Sequence, residues 1–464
     1  MTLGERTSIT VFRIMIIRKL LLHQQNTFGL HPNFTARDIF GDNVKNADPS
    51  FDIVSNVFSA RIWNRSDINL NEYEQSHCVD DVLTENHFIL SAKYLSMIGE
   101  FYLQTLTTLH WLFNDLKLLD AESRNYRFYL MLPENAEVLL SHRMFMERFS
   151  KYEVQRFVDL FEHYRCRCVQ RMFFCGFKRT ENHNDGEGQS AWYLSPLRTP
   201  TRSRSIRMNR VKMFKDMISE YGQWVDSIHP DLERDVMIWK NETLNALKMD
   251  RTEIAEVSEW RFIGLYQRRK RRKWRNINEI KRKCNERYRE HRILCIEINL
   301  ESVGQHSKDI LVLHRAVSML IGVHGATLTD AVWMDRDAGN YVIELLPFDS
   351  PDWASSLDQP TMTAILFWRS QFNYVGLQLT NTSIFGGAKL QHWAERDFKV
   401  DFERLQRVID FLIIEEGGYC AKYQSADKIK VPPDIKDMGF AIYNAFCPQS
   451  PDVIHNYVKK RAID

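Results

Sequence analysis

Residues 321–346, IGVHGATLTDAVWMDRDAGNYVIELL, decide the fold class. Ser318–Val323 is an apolar run with the length of a buried strand, and His324-Gly325-Ala326 is a small-residue break. Thr327–Trp333 then starts a helix, and Tyr341–Leu345, closed by Pro347, is the next strand. A loop that leaves a strand and enters a helix N-terminus presents unpaired backbone N–H groups and the positive end of the helix dipole to an anion, and a diphosphate suits it. Glu344 stands at the C-terminal end of its strand, where ligands bind in open α/β sheets and where a carboxylate accepts hydrogen bonds from ribose hydroxyls. Spacing alone leaves a blander account equally open, with His324 capping a turn and Glu344 as an edge charge.

Working outward, the pattern repeats. Phe262–Tyr266 reads as a strand, Asn276–His291 as a charged helix, Ile293–Ile298 as a strand and Ser307–Val317 as a helix leading into Ser318–Val323. Such βα units describe a parallel sheet of Rossmann type. No GxGxxG stands in it, which disfavours a dinucleotide cofactor. In the first half, Tyr94–Leu119 is a long helical pattern, Tyr126–Leu132 a strand, Ala136–Phe149 and Glu153–Tyr164 are helical, and Cys168–Phe177 is an apolar run; this alternation again means a layered α/β domain. Residues 1–85 read as a peripheral, irregular region and Lys178–Arg207 as a long surface loop, while Arg207–Asp226 and Asp231–Met249 are helical and form the passage between domains.

Composition sets the outer limits. At 464 residues, 44% hydrophobic and 26% charged, the chain has room for two cores, and a net charge of +2 supplies no global field for nucleic acid. The basic run Arg268–Lys273 is the one nucleic-acid signal. It lacks interleaved aromatics beyond Trp274 and sits in a βα loop, so a solvated charge run is the commoner account and no nucleic-acid partner is expected. The eight cysteines lack CxxC pairs and a histidine cluster of zinc-site spacing, so no structural metal is expected. Cys420 and Cys447 flank a segment that an oxidising compartment would let them close, whereas Cys284 and Cys295 read as buried positions; sequence alone does not pair them. Sequons at Asn33, Asn64, Asn241 and Asn381 permit glycosylation in a secretory lumen. Against this, the apolar run Ile9–Leu22 is broken by Arg13, Arg18 and Lys19 and makes a poor signal-peptide core, so membrane attachment is expected only through a missing N-terminal segment.

The segment IGVHGATLTDAVWM with IELLP after it resembles the hallmark of glycosyltransferase family sixty-one, an HGA core followed by a strand ending in glutamate, an apolar pair and proline. Upstream, IGLYQRRKRRKWRNINEI resembles that family's arginine motif; aligned on Asn276, its arginines fall on Arg268 and Arg272 and its acidic residue on Glu279. SKDILVLHRAVSML, RDFKVDFERLQRVIDFL and, in the first half, RCRCVQRMFFCGF are similar to further family segments, in order. The resemblance is strong over about residues 255–415 and thin before 120.

This resemblance implies a GT-B architecture, with two Rossmann-like domains facing across a cleft: an acceptor-side domain over 1–230, a nucleotide-sugar domain over 231–415, and a tail, 416–464, packing back on the body. It also implies transfer from a UDP-sugar, with inversion, to a hydroxyl of a glycoprotein or glycan in the Golgi or endoplasmic reticulum. N-acetylglucosamine is the first choice of sugar and xylose the second. The implied nucleotide-sugar site is Arg268, Arg272, Gly322, His324, Gly325, Ala326, Thr329 and Glu344, and no metal or other cofactor is called for, since cations and aligned N–H donors stabilise a diphosphate leaving group. The first-domain motif departs from the family pattern: in SMIGEFYLQTLTTLHWLFNDL, Gly99 is followed by Glu100 where the family has asparagine, and Leu103 stands near the expected histidine. Glu100, His110 and Asp115 are the nearby candidates for the base that inverting transfer requires. A catalytically silent nucleotide-sugar or glycan binder of the same fold is the rival that this departure allows.

Overall fold

Two sheets organise the chain. The computed structural model describes residues 12–23, 27–28, 82–91, 101, 106, 109, 123–130, 132, 136–157, 159, 166–177, 219–250, 254–268, 272–299, 307–335, 339–347, 363, 367, 370–380, 384–385, 396–415, 418–422, 429–447 and 454–455. Contacts divide the chain into Met1–Gly188 and Gln189–Asp464. The helix over 219–228 falls in the second unit, where the ion pair from Arg315 to Asp226, 2.7 Å, fastens it.

The first unit holds β1 (Phe12–His23), β2 (Thr27–Phe28), β3 (Val82–Ser91), β4 (Tyr126–Leu130), β5 (Gln155–Arg156) and β6 (Cys166–Phe177), in the order β2-β1-β6-β3-β4-β5. β6, β3, β4 and β5 run parallel, and β1 pairs antiparallel with β6 along its length. The segment expected to be irregular thus supplies β1, β2 and the start of β3. The helix expected over Glu153–Tyr164 begins instead as β5. The Asp159 carboxylate accepts from the Arg156 backbone N–H at 3.1 Å and from its guanidinium at 2.6 Å, and this local pairing competes with helical bonding.

The second unit contains β7 (Arg261–Tyr266), β8 (Ile293–Ile298), β9 (Val317–Val323), β10 (Tyr341–Leu346), β11 (Asn373–Gln378), the small pair β12 (Ile384–Phe385) and β13 (Asp397–Phe398), then β14 (Phe440–Phe446) and β15 (Ile454–His455). The main sheet has the order β15-β14-β11-β10-β9-β7-β8, with β8, β7, β9, β10 and β11 parallel and β14 and β15 antiparallel at one end. β7, β9 and β10 are nearly continuous apolar runs because helices cover both faces of such a sheet. β8 is its edge. The Asn285 side chain serves that edge as a neighbouring strand would, accepting from Cys295 N–H at 2.6 Å and donating to Cys295 O at 3.3 Å.

Cys284, on the helix Ile277–Tyr288, forms a disulfide with Cys295 of β8, and a second disulfide joins Cys420 to Cys447. The first pair answers what burial alone had left open, and the second closes the loop the sequence permitted. Residues after 416 contribute β14 to the main sheet through its pairing with β11. The helix Phe402–Ile409 is N-capped by Asp401, whose carboxylate accepts from Glu403 N–H at 3.0 Å, and it continues as a π-helix over Asp410–Ile414. Among the described residues no helix is long and apolar enough to cross a membrane.

Candidate nucleotide-binding site

In the parallel part of the second sheet the strand order is β8-β7-β9-β10-β11, so the chain leaves β7 in one direction and returns to its other side with β9. β7 and β9 therefore flank the point where the winding reverses, and loops leaving their C-terminal ends open a crevice that doubly wound sheets use for ligands. The loop after β7 carries Arg268 and Arg272, and the loop after β9 carries His324-Gly325-Ala326. Chain topology thus brings together two motifs more than fifty residues apart.

The arginine loop is held at its base by one side chain. Gln267 accepts from the backbone N–H groups of Arg268 (3.1 Å) and Trp274 (2.9 Å) and donates to Trp274 O (3.0 Å), tying the two ends of the loop together. Beyond it, Lys273 N–H donates to Asp397 at 2.8 Å, Arg275 pairs with the same carboxylate, and the Asn276 amide grips both backbone groups of Val400. Asn276 thus fixes the loop to the segment before the Phe402 helix. Arg272, with φ +55°, is 8% exposed and donates to the carbonyl of His324. A Cβ on Gly325 would stand 2.9 Å from Nη1 of Arg268 and 3.0 Å from Nη1 of Arg272, so both guanidinium groups converge on this glycine. Two members of the basic run are thereby turned onto the neighbouring loop and do not form part of a solvated face.

His324 is fixed from the sheet side. Its backbone N–H donates to Leu345 O at 2.8 Å, and Nδ1 lies 2.6 Å from Oε1 of Glu344. A carboxylate only accepts, so Nδ1 carries the proton and Nε2 is on the far side of the ring. The other Glu344 oxygen accepts from Tyr374 OH at 2.9 Å. Glu344 is completely buried, between Gly322 of β9 and Gly376 of β11 in register. Both oxygens of the carboxylate expected to receive ribose hydroxyls are thus engaged inside the protein, one of them with His324.

The segment after Gly325 is a 3-10 helix over Ala326–Trp333, not an α-helix. Its first bond runs from Leu328 N–H to Gly325 O at 3.2 Å, so the N–H groups of Ala326 and Thr327 lie ahead of any acceptor within the helix. Gly322 and Thr329, both expected as ligand contacts, are buried, Thr329 completely. A Cβ on Gly322 would stand 3.0 Å from Tyr266 Cβ and 3.0 Å from Leu328 Cδ2, so this glycine serves close packing. The loop before β10 is closed by Asn340, whose amide donates to Asp335 O at 2.7 Å. Glu279 pairs with Lys283 at 2.8 Å on its own helix. Glu100, His110 and Asp115 lie outside the described residues. Among the described residues no group of three or more His, Cys, Asp or Glu is arranged to hold a metal ion.

Beneath the loop lies a polar set that sequence reasoning missed. His314 Nδ1 is 2.7 Å from Ile310 O, which can only accept, so Nε2 is the acceptor facing Tyr266 OH at 2.8 Å. Tyr266 also hydrogen-bonds Asp330, and burial drives its hydroxyl well above the ordinary range. Burial pushes the imidazole of His314 down from 6.5 to about 4. Between these values the unfolded chain binds a proton that the folded chain refuses, so stability is full above pH 6.5 and drains away as pH falls toward 4. This group alone should remove about 2 kcal/mol of unfolding free energy between pH 7 and pH 5. Urea denaturation at the two pH values measures it, and His314→Gln, which keeps an acceptor for Tyr266, should flatten the difference; an equal loss in that variant would assign the pH effect elsewhere.

A family model described as Glycosyltransferase 61 matches residues 87–341, more than half of the chain, from β3 of the first unit to the first residue of β10 in the second. No curated protein matches the chain.

Proposed function

Because the chain belongs to the glycosyltransferase 61 family, we propose that it is an inverting, UDP-sugar-dependent glycosyltransferase that delivers its sugar to a hydroxyl of a protein or glycan. N-acetylglucosamine is the first choice of sugar and xylose the second. The observation that carries this reading is the convergence of Arg268 and Arg272 on the His324–Gly325 loop beside the β7/β9 switch point. A departing nucleoside diphosphate gathers negative charge, and two guanidinium groups with the N–H groups at the start of the 3-10 helix are suited to take it up without a metal. His324, held by Glu344, presents its far nitrogen to the same charge.

The wider arrangement we propose is GT-B, with the acceptor side and its base, one of Glu100, His110 and Asp115, on the first domain. Two disulfides among the described residues support a working place in an oxidising secretory lumen, Golgi or endoplasmic reticulum. A nucleotide-sugar binder without turnover is the second reading, favoured by Glu100 where the family pattern has asparagine and Leu103 near its expected histidine.

Calorimetric titration of UDP in EDTA tests the donor site. Wild type should bind, and Arg268→Ala and Arg272→Ala should each weaken binding roughly tenfold or more, the worth of a charge-assisted hydrogen bond. Folded wild-type protein that takes up no UDP would sink the assignment. A panel of UDP-sugars then identifies the sugar by hydrolysis, and absence of turnover with every one would favour the second reading.

A further inference from the structure

Three elements meet at one hydroxyl beneath the loops. Tyr266 closes β7, two residues before Arg268; His314 lies on the helix Ser307–Ala316 that leads into β9; Asp330 lies on the 3-10 helix that follows Gly325. Gly322 lets the tyrosine approach β9 and Leu328 closely. We infer that Tyr266 is a positioning residue for the donor site, its hydroxyl locking the 3-10 helix and the glycine loop in register with the arginine loop. This inference rests on the proposed UDP site.

The hydrogen-bond inventory gives the reason. With Nδ1–H of His314 committed to Ile310 O, Nε2 accepts, and the Asp330 carboxylate also accepts, so the single tyrosine O–H is shared between two acceptors, on a residue only 4% exposed. Without that hydroxyl the link from β7 to His314 and to Asp330 is lost. Asp330 belongs to the 3-10 helix, and Gly325, where both guanidinium groups converge, is the residue at that helix's start, so a helix no longer held through Asp330 carries the glycine with it.

UDP titration at pH 7 of wild type, Tyr266→Phe, Asp330→Ala, Asp330→Asn and the double variant Tyr266→Phe/Asp330→Ala tests this, with circular dichroism to verify folding. Tyr266→Phe and Asp330→Ala should each weaken UDP about tenfold. Asp330→Asn should stay within about twofold, because its amide donates to the tyrosine oxygen while the tyrosine donates to Nε2. The double variant should be no weaker than the worse single variant, since both remove one interaction, whereas independent destabilisation would multiply the losses. Tyr266→Phe binding like wild type, Asp330→Asn failing as badly as Asp330→Ala, or multiplied losses would each overturn the inference while leaving the UDP site standing. Wild type without UDP affinity would overturn both. Should Tyr266→Phe fail to fold, the Asp330 pair, which keeps the tyrosine, decides alone.

Discussion

Glu344→Gln is expected to fold like wild type and to lose about two to three orders of magnitude in sugar transfer. Glutamine fills the same buried volume, and its carbonyl still accepts from Tyr374, whose hydroxyl is 2.9 Å from the native carboxylate. The second position becomes an NH2 group that donates, and it faces His324 Nδ1, which the native carboxylate at 2.6 Å compels to carry a proton. The ring must then reverse its tautomer or turn away, and the negative charge behind it is gone. Either outcome changes what the far nitrogen offers a developing diphosphate. Glu344→Ala should behave worse in both respects, removing the carboxylate that Tyr374 OH and His324 Nδ1 share, at a stability cost of about 2–4 kcal/mol. Steady-state kinetics with the identified UDP-sugar, beside a thermal melt, separates the two effects; Glu344→Gln retaining wild-type turnover would show that His324 needs no orienting carboxylate.

Much of this site was legible because it lies in short, punctuated stretches. The apolar runs became β7, β8, β9 and β10 with ends within a residue of expectation, and the family resemblance aligned Arg268, Arg272, His324 and Gly325, which do converge. Strand order was not legible. Successive βα units announce parallel strands, but which strand lies beside which depends on where the crossovers go, and the switch point between β7 and β9 exists only in the assembled sheet. The surroundings of Glu344 were hidden for the same reason: a carboxylate at a strand end looks open until the neighbouring strand places Tyr374 on it. The helix after Gly325 was legible as a helix but not as a 3-10 one, because its apolar spacing suits either kind. Gly325 at its cap has no side chain to cap with, and Thr327, Thr329 and Val332 are β-branched and weak α-helix formers. Gln267 was hidden as an ordinary polar residue next to a basic run, and Asn276 entered only as the point of alignment; only the folded loop shows each gripping more than one backbone group at once.

Gly325→Ala is expected to cost UDP affinity about two to three orders of magnitude while leaving the protein folded. The backbone there has φ +154° and ψ 168°, a region that residues with a Cβ enter at a cost of about 1–3 kcal/mol. The new methyl would also stand 2.9 Å from the Arg268 guanidinium and 3.0 Å from that of Arg272. Guanidinium groups are the far ends of flexible side chains, so the core does not have to move. The arginines do, and Arg272 must release the His324 carbonyl to do so. The penalty therefore falls on the charges that hold the diphosphate more than on the fold. Gly322→Ala, by contrast, pushes against Tyr266 Cβ and Leu328 at 3.0 Å inside the packed sheet, so it should lower the melting temperature where Gly325→Ala does not. The pair of variants thus separates the two meanings of glycine in one loop, and UDP binding by Gly325→Ala within about threefold of wild type would show that the arginines meet their ligand elsewhere.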